Sequence, residues 1–407
     1  MALSSSFINA TLGGECPVPH HIYRANRVTF SQSMERMGLF EFLMVILAAY
    51  ASGGIYVWPR SLCQMAGQNG TIALLLSGLW AVLVFGGVAY WALKAPGQNA
   101  YQKLESTVGN VLAASIAIAT GLMTAAYLAL ISALYISVLT TVVIPGHRAW
   151  SLGVVLVIYV FWLSTRPPIS VVRMFTITIP GLTVLTLITA VLGFHNMQFP
   201  NALRPHFPIA LKPVAMASVS GTFFWIPIMP TATAIGMMRK AVRARAVGVT
   251  LWGTGLQIAL LVVLYVLAVS TLGPQGVAHS TWPIVFVFEN IDLSNFFISE
   301  IGFGVAIIWT VSFMGFIGWH IWHQGLLLDH LHHGKPSQSK VAVAVAIVMV
   351  GAMVLEVSFN PAILEHLLLV ILAPINFVGT SLWVSTLVLI TWRKGRRQSS
   401  QARSLPR

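Results

Sequence analysis

Charge is scarce along this chain. Only 8% of its 407 residues are Asp, Glu, Lys or Arg, where a soluble domain carries roughly 25%. With 57% hydrophobic residues and a mean hydropathy of +0.82, this excludes a water-soluble globule and points to a polytopic membrane protein. Acidic residues number ten, and no Asp pair falls inside an apolar run, which leaves intramembrane carboxylate catalysis without a carrier. The two cysteines, Cys16 and Cys63, have no metal-ligand spacing and form no disulfide framework. A phosphate-binding glycine loop and a nucleophile elbow are absent too. The expectation is a protein that is not an enzyme and carries no cofactor or metal. Cys16 follows Leu12-Gly13-Gly14-Glu15 without an apolar run, so it is no lipoprotein signal. Met1 to Ser31 lacks the continuous apolar core of a secretory signal. The net charge of +13 does not indicate nucleic acid, because the positive residues sit at the ends of apolar runs.

What the chain has in abundance is apolar runs. At ~20 residues per crossing, ten spans are predicted, near 38–62, 71–93, 109–143, 149–165, 171–194, 214–238, 246–272, 297–323, 341–358 and 367–392. With both termini in the cytoplasm, 19 of the 23 Lys and Arg residues fall on inside segments, and only Arg60, Arg148, Arg204 and Lys212 fall outside. That bias fits the positive-inside rule and an even number of spans. Three parts follow: a flexible cytoplasmic N-terminal segment, 1–36; a transmembrane domain, 37–392; and a basic cytoplasmic tail, 393–407, suited to anionic lipid. A start of translation near Met34 or Met37 is an alternative reading of the first segment.

Two spans are interrupted. The first contains "ASGGIYVWPR", with Ser52-Gly53-Gly54 followed by Pro59 and Arg60. Glycine costs a helix interior up to ~1 kcal/mol relative to alanine, and unpaired backbone in lipid costs several kcal/mol. A break is tolerated where protein or ligand takes up the freed groups. Adjacent glycines also differ from the three-residue spacing of a close-packing glycine face. The sixth span, "VAMASVSGTFFWIPIMPTATAIG", carries Ser218, Ser220, Gly221 and Thr222, then Phe223-Phe224-Trp225, Pro227 and Pro230. Each proline removes a backbone bond and clashes with the preceding turn. Interruptions in spans one and six of ten predict an all-α inverted 5+5 repeat with a site between the two breaks. Half-helix ends suit a small zwitterion: the positive N-terminal end takes a carboxylate, and C-terminal carbonyls take an ammonium. The candidate ligand-binding residues are Ser52, Gly53, Gly54 and Ile55 at the first break, and Gly221, Thr222, Phe223, Phe224 and Trp225 at the second. Thr310 or Ser312 approaches from span eight, and Tyr127 from span three. Packing, with the hydroxyl bonded to a carbonyl, accounts equally well for Tyr127.

Four stretches carry a family likeness: "SGGIYVWPRSLCQMAGQNGTIALLLSG", "PNALRPHFPIALKPVAMAS", "STWPIVFVFENIDLSNFF" and "GVAIIWTVSFMGFIGW". Together they resemble the B subunits of spore germinant receptors, a branch of the amino acid–polyamine–organocation (APC) superfamily, over residues 34 to 392. The resemblance implies the LeuT-like fold with ten transmembrane helices, helices 1 and 6 broken. It also implies a receptor in the inner membrane of a bacterial endospore that senses an amino acid or similar nutrient. Its implied partners are a membrane A subunit and a C-subunit lipoprotein. The chain departs from the family in one respect: where members often carry Pro-Phe-Gly-Glu in helix six, Phe223 to Pro227 contains no carboxylate. That disfavours a cationic ligand.

The same fold serves secondary transporters, so an amino acid permease is the alternative function. Thr310 and Ser312 lie ~200° apart on a helix and do not share one ion easily. Span five offers only Arg173 and His195 near its ends, where proton-coupled relatives place a lysine. These features favour a sensor or an uncoupled facilitator. Glu41 is a candidate for a proton path or an interfacial residue. "WHIWHQGLLLDHLHHG" brings His320, His323, His330, His332, His333 and Asp329 together. Zinc is one reading of this cluster; the favoured expectation is a solvated patch at the cytoplasmic end of span eight.

Overall fold

The computed structural model describes residues 37–53, 58–94, 98–195, 197–200, 204–289, 301–332 and 338–404. The N-terminal segment 1–36, Gly54, Ile55 and His333 lie outside these residues, as does most of the loop expected before span eight.

The first crossing is built from α1 (Leu39–Gly53) and α2 (Trp58–Ala66). Helix α1 is apolar almost throughout and ends at the Gly53-Gly54 pair. Helix α2 restarts with Pro59 in its first turn, where a missing N–H costs no hydrogen bond. Gly67 adopts a positive φ of 55°, which turns the chain into α3 (Gly70–Leu93). Helix α4 (Ala100–Val108) is short and polar. Asn99 and Gln102 close its N-terminus as a reciprocal capping box. Then follow α5 (Asn110–Val138), extended by a π-helical turn to Val143, α6 (Ala149–Ser164) and α7 (Pro168–His195).

The sixth crossing runs through α8 (Leu211–Ser220), a 3-10 turn at Gly221–Trp225 and α9 (Met229–Met237). After the short α10 (Lys240–Arg243) comes α11 (Ala246–His279). Gly273, with φ of 70°, and Pro274 kink α11 near its end. Helices α12 (Pro283–Glu289), α13 (Ile301–Leu331), α14 (Gln338–Ser358), α15 (Pro361–His366) and α16 (Ala373–Ser404) complete the described chain, with a π-helical stretch joining the last two. The basic tail expected from residue 393 thus continues the last helix.

Among the described residues, eight helices are long and apolar enough to cross a membrane. Two shorter apolar helices, Leu39–Ala49 and Ala149–Ser164, supply the first half of the first crossing and the fourth. Exposed residues confirm the solvent. Helix α7 presents Ile177, Val184 and Val191 outward at a seven-residue spacing, and α14 presents Val343, Ile347, Val350 and Val354. Contiguous apolar stripes of this kind are covered by lipid, not water. The protein is an integral multi-pass membrane protein.

Burial ranks the crossings. In the sixth, 78% of the apolar window is enclosed, against 33% in the fifth and ninth. The interrupted helix is therefore central, and α7 and α14 are peripheral. At one end, Met37 pairs in parallel with Met238: Met37 N–H donates to the Met237 carbonyl at 3.2 Å, and Arg239 N–H donates to the Met37 carbonyl at 2.9 Å. The two broken crossings are so tied together at the face that also carries Lys94, Lys103, Arg243 and Lys394, hereafter the basic face. Glu41 belongs there too: its carboxylate accepts the Gly38 N–H and caps the first turn of α1.

Candidate functional site

The two interruptions meet. Trp58, the first described residue after the break in the first crossing, sets its ring edge-on to Phe224 with centroids 5.3 Å apart. Phe224 lies 4.0 Å from Phe223 and 5.6 Å from Trp225. On its other side Trp58 stacks on Tyr265 of α11 at 6.0 Å. The Tyr265 hydroxyl donates to the Gly67 carbonyl at 2.7 Å, which fixes the end of α2. All of these rings are buried.

The backbone beneath them leaves the helix at residues 226–228. Pro227 has no N–H to give, Ile226 N–H reaches back to Phe223, and Ile228 N–H turns to Ile226. Pro230 then falls in the first turn of α9. The proline pair thus produces the interruption by removing donors, as the sequence predicts. The segment before it is a tightened 3-10 turn.

The predicted site residues sort into groups. Ser52 and Gly53 end α1 at the break, while Gly54 and Ile55 lie outside the described residues. Gly221 faces α3: a Cβ there would stand 2.9 Å from Ser77 Oγ. Thr222 is buried, and its hydroxyl bonds the Val219 carbonyl at 2.7 Å and the Ala373 carbonyl at 3.3 Å. Trp225 is 1% exposed, and its indole Nε1 has no partner among the described residues. A buried indole N–H ordinarily finds an acceptor. Asn376, one turn beyond Ala373, likewise leaves its amide nitrogen unpaired among the described residues.

Tyr127, Thr310 and Ser312 have their own contacts. Tyr127 is fully buried with its ring edge-on to Phe316 at 6.5 Å. Thr310 accepts from Tyr135 at 2.5 Å and donates to the Ala306 carbonyl. Ser312 donates to the Ile308 carbonyl at 2.8 Å. Tyr135, eight residues beyond Tyr127 on α5, is the tyrosine that reaches the α13 hydroxyl, and sequence reasoning did not name it. Trp58 and Tyr265 were missed as well. Trp58 stood in the quoted stretch, and its place directly after the break was the available signal.

On the face opposite the basic one, a cavity of about 440 Å³ opens between α2, α11 and α15. Arg60, Ser61, Gln64 and Glu365 give it a polar wall, and Met65 lies at its edge. Arg60 forms an ion pair with Glu365, whose carboxylate also accepts from the Ser61 hydroxyl. The Glu365 side chain is 3% exposed and that of Arg60 12%. The pair joins the end of the first crossing away from the basic face to the start of the tenth. Met65 sulfur receives the Ser220 hydroxyl at 3.8 Å, so the cavity borders the residue that precedes the 3-10 turn.

The histidine cluster corrects an expectation. Span eight was to end at 323 in a solvated patch. Instead α13 continues to Leu331, and His320 and His323 are 6% and 1% exposed. The apolar run 326–328 carries the helix on, and α4 and α9 cover this side. His323 Nδ1 lies 3.1 Å from the Tyr101 hydroxyl, and Nε2 lies 3.0 Å from Thr233 Oγ1. Among the described residues no group of His, Cys, Asp and Glu has metal-site geometry. Nearby Lys103 is buried, donates to the Ala92 carbonyl and lies 5.9 Å from the Trp91 ring. Burial first, and the Arg243 charge second, lower its ammonium to about 7.

Comparisons with known proteins fit this geometry. The crystal structure of MhsT in complex with L-phenylalanine superposes with a TM-score of 0.63 at 15% identity, covering 88% of this chain and 96% of that one. A single-residue mutant of the Eremococcus coleocola manganese transporter gives a TM-score of 0.52 at 15% identity, covering 92% of this chain and 81% of that one. At these identities the likeness establishes the fold alone: a LeuT-like arrangement with the first and sixth helices broken. Among curated proteins, none matches the sequence. The profile of the Spore_permease family, described as spore germination protein, matches residues 37–360. That match covers most of the chain, and the protein belongs to this family of spore germination permeases.

Proposed function

We propose that the protein is the B subunit of a germinant receptor, which binds a small neutral or zwitterionic nutrient, an amino acid by preference, at mid-membrane and signals through partner subunits. The observation that carries this reading is the junction of the two breaks, where Trp58 meets Phe224 beside the Trp225 indole nitrogen, which has no partner among the described residues. Half-helix ends and orphaned donors suit a carboxylate, and the aromatic wall suits an apolar side chain. The site residues proposed for contact are Ser52, Gly53, Gly54 and Ile55 with Gly221 to Trp225, and Thr310, Ser312 and Tyr127 from helices α13 and α5. The absence of a carboxylate between Phe223 and Pro227 favours a neutral ligand over a polyamine. The L-phenylalanine held by MhsT, a protein of the same fold, is consistent with that class. The A subunit and C-subunit lipoprotein, the spore inner membrane, and cytoplasmic placement of the basic face with both termini belong to the same reading.

The test uses purified protein in proteoliposomes and a panel of radiolabelled neutral amino acids. Saturable binding without accumulation supports the receptor. Accumulation over time makes the protein a permease instead. Gly53→Leu fills the first break and is expected to abolish binding in a protein that still folds. Retained binding in that variant removes the site from between the breaks.

A further inference from the structure

The tenth crossing brings to the helix-six break a polar side chain outside the candidate ligand residues. Thr222 donates its hydroxyl to the Ala373 carbonyl at 3.3 Å, which seats the first turn of α16 against the 3-10 turn. A helical carbonyl points along the axis toward the following turn, so this contact lies beside Asn376 and Phe377. Phe377 turns to Trp80 of α3, with ring centroids 5.4 Å apart. Asn376 keeps to the enclosed side of α16: Ala373, Asn376 and Thr380 are buried, while Ile375, Val378 and Leu382 are exposed.

The depth of Asn376 follows from chain direction. The sixth crossing runs toward Met238 at the basic face, and the tenth runs from Glu365 to Lys394 at the same face. The two segments are therefore parallel. Three residues of a 3-10 helix make one turn of about 6 Å, so Trp225 stands over Thr222 on the same side. Three residues of α16 advance about 4.5 Å and bring Asn376 to nearly the same level. From the single contact between Thr222 and Ala373, each chain steps one turn toward the basic face and there presents a buried polar group. Trp225 is 1% exposed and Asn376 3%.

Both groups are donors. Trp225 Nε1 and Asn376 Nδ2 have no partner among the described residues. Asn376 Oδ1 is occupied, since it accepts the Thr380 hydroxyl at 2.8 Å, and the amide nitrogen is left as the end to be satisfied. A buried donor without an acceptor is costly, and two at one level call for an acceptor with two oxygens. We propose that Asn376 is a ligand-binding residue of the tenth crossing, and that its amide and the Trp225 indole together hold the carboxylate of the bound molecule. A cationic group finds only donors here and is rejected. This inference rests on the proposed nutrient site for the identity of that molecule as an amino acid. The cavity beside Arg60 reaches Val370 and Met65, one turn before Ala373 and against Ser220. The Thr222–Ala373 contact therefore lies between open space and the two donors.

The test is NMR of the full-length protein in bilayers with ¹⁵N-labelled tryptophan, the Trp225 indole signal being assigned by its loss in Trp225→Phe. Sodium acetate is the probe, titrated against sodium chloride at equal ionic strength. Acetate is expected to shift the Trp225 signal saturably, and chloride is not. Asn376→Leu should leave the signal in place without acetate and raise the midpoint about 10- to 100-fold, the cost of hydrogen bonds to a charged group. Thr380→Val removes only the orienting hydroxyl and should raise it by about threefold. A Trp225 signal that acetate does not move overturns the site by itself. So does an unchanged midpoint in Asn376→Leu, or a Thr380→Val effect as large as that of Asn376→Leu. Radiolabelled neutral amino acids on the same preparations separate the two readings. An acetate shift without amino acid binding keeps the donor pair and refutes the nutrient. Amino acid binding that Asn376→Leu leaves unchanged refutes the donor pair and keeps the nutrient.

Discussion

The Arg60–Glu365 pair gives the sharpest quantitative test of how the end of the first crossing away from the basic face is held. Removing one member of a buried pair leaves an uncompensated charge and costs about 3–5 kcal/mol. An exposed pair is worth only ~0–1 kcal/mol. Glu365 is 3% exposed but borders an open cavity, so water can reach the vacated side, and the lower end, about 3 kcal/mol, applies. After Arg60→Gln, Ser61 alone would remain as a donor to that carboxylate among the described residues. The reporter is Cys63, one turn from Arg60. It is buried and bonded to the Pro274 carbonyl at 3.1 Å, so it reacts only when α2 moves from α11. In a Cys16→Ser background, the rate of labelling by a membrane-impermeant maleimide reads that movement directly. About 3 kcal/mol predicts a roughly 100-fold faster reaction in Arg60→Gln. The double variant Arg60→Gln with Glu365→Gln leaves no buried charge and should return most of the way toward the parent rate. If the single variant reacts within about threefold of the parent, or if the two substitutions simply add, the pair behaves as a surface contact and does not hold α2 against α15.

The Lys103 ammonium falls from its ordinary 10.5 to about 7 in the folded protein, chiefly through burial. Between about pH 7 and pH 10 the unfolded chain thus binds the extra proton, and stability should rise by about 1.4 kcal/mol per pH unit, flattening below about pH 7 where both states hold it. A melting series in detergent checks this: Lys103→Met should lose the rise, and a parent curve with no greater slope than the variant refutes the burial argument. Gly221→Ala places a methyl 2.9 Å from Ser77 Oγ and should destabilise by roughly 1–3 kcal/mol. Adding Ser77→Gly should restore most of that loss, and an undiminished defect in the double variant would mean that α3 is not the obstacle.

What the sequence disclosed and what it concealed divide along one physical line. The breaks are backbone events. Paired glycines end α1, and Pro227 and Pro230 remove donors from the sixth crossing whatever surrounds them, so both could be read from adjacent letters. Most span boundaries followed for the same reason, since crossing length depends on local hydropathy. Side-chain partners obey no such local rule. The Arg60 and Glu365 pair is 305 positions apart, and Glu365 stands two residues before the expected start of span ten, where nothing marks it as buried. His323 finds Tyr101 at a separation of 222; read beside the polar tail that follows it, it looked solvated. Tyr127 and Tyr135 show the limit most plainly. Eight residues place them about 80° apart around one helix, and only the rotation imposed by the packing of α5 against α13 decides which hydroxyl meets Thr310. The same rotation sets which face of α13 turns toward α4 and α9, and so places His323 between Tyr101 and Thr233. A backbone interruption legible in the sequence thus acquires its polar surroundings from contacts that only the fold supplies.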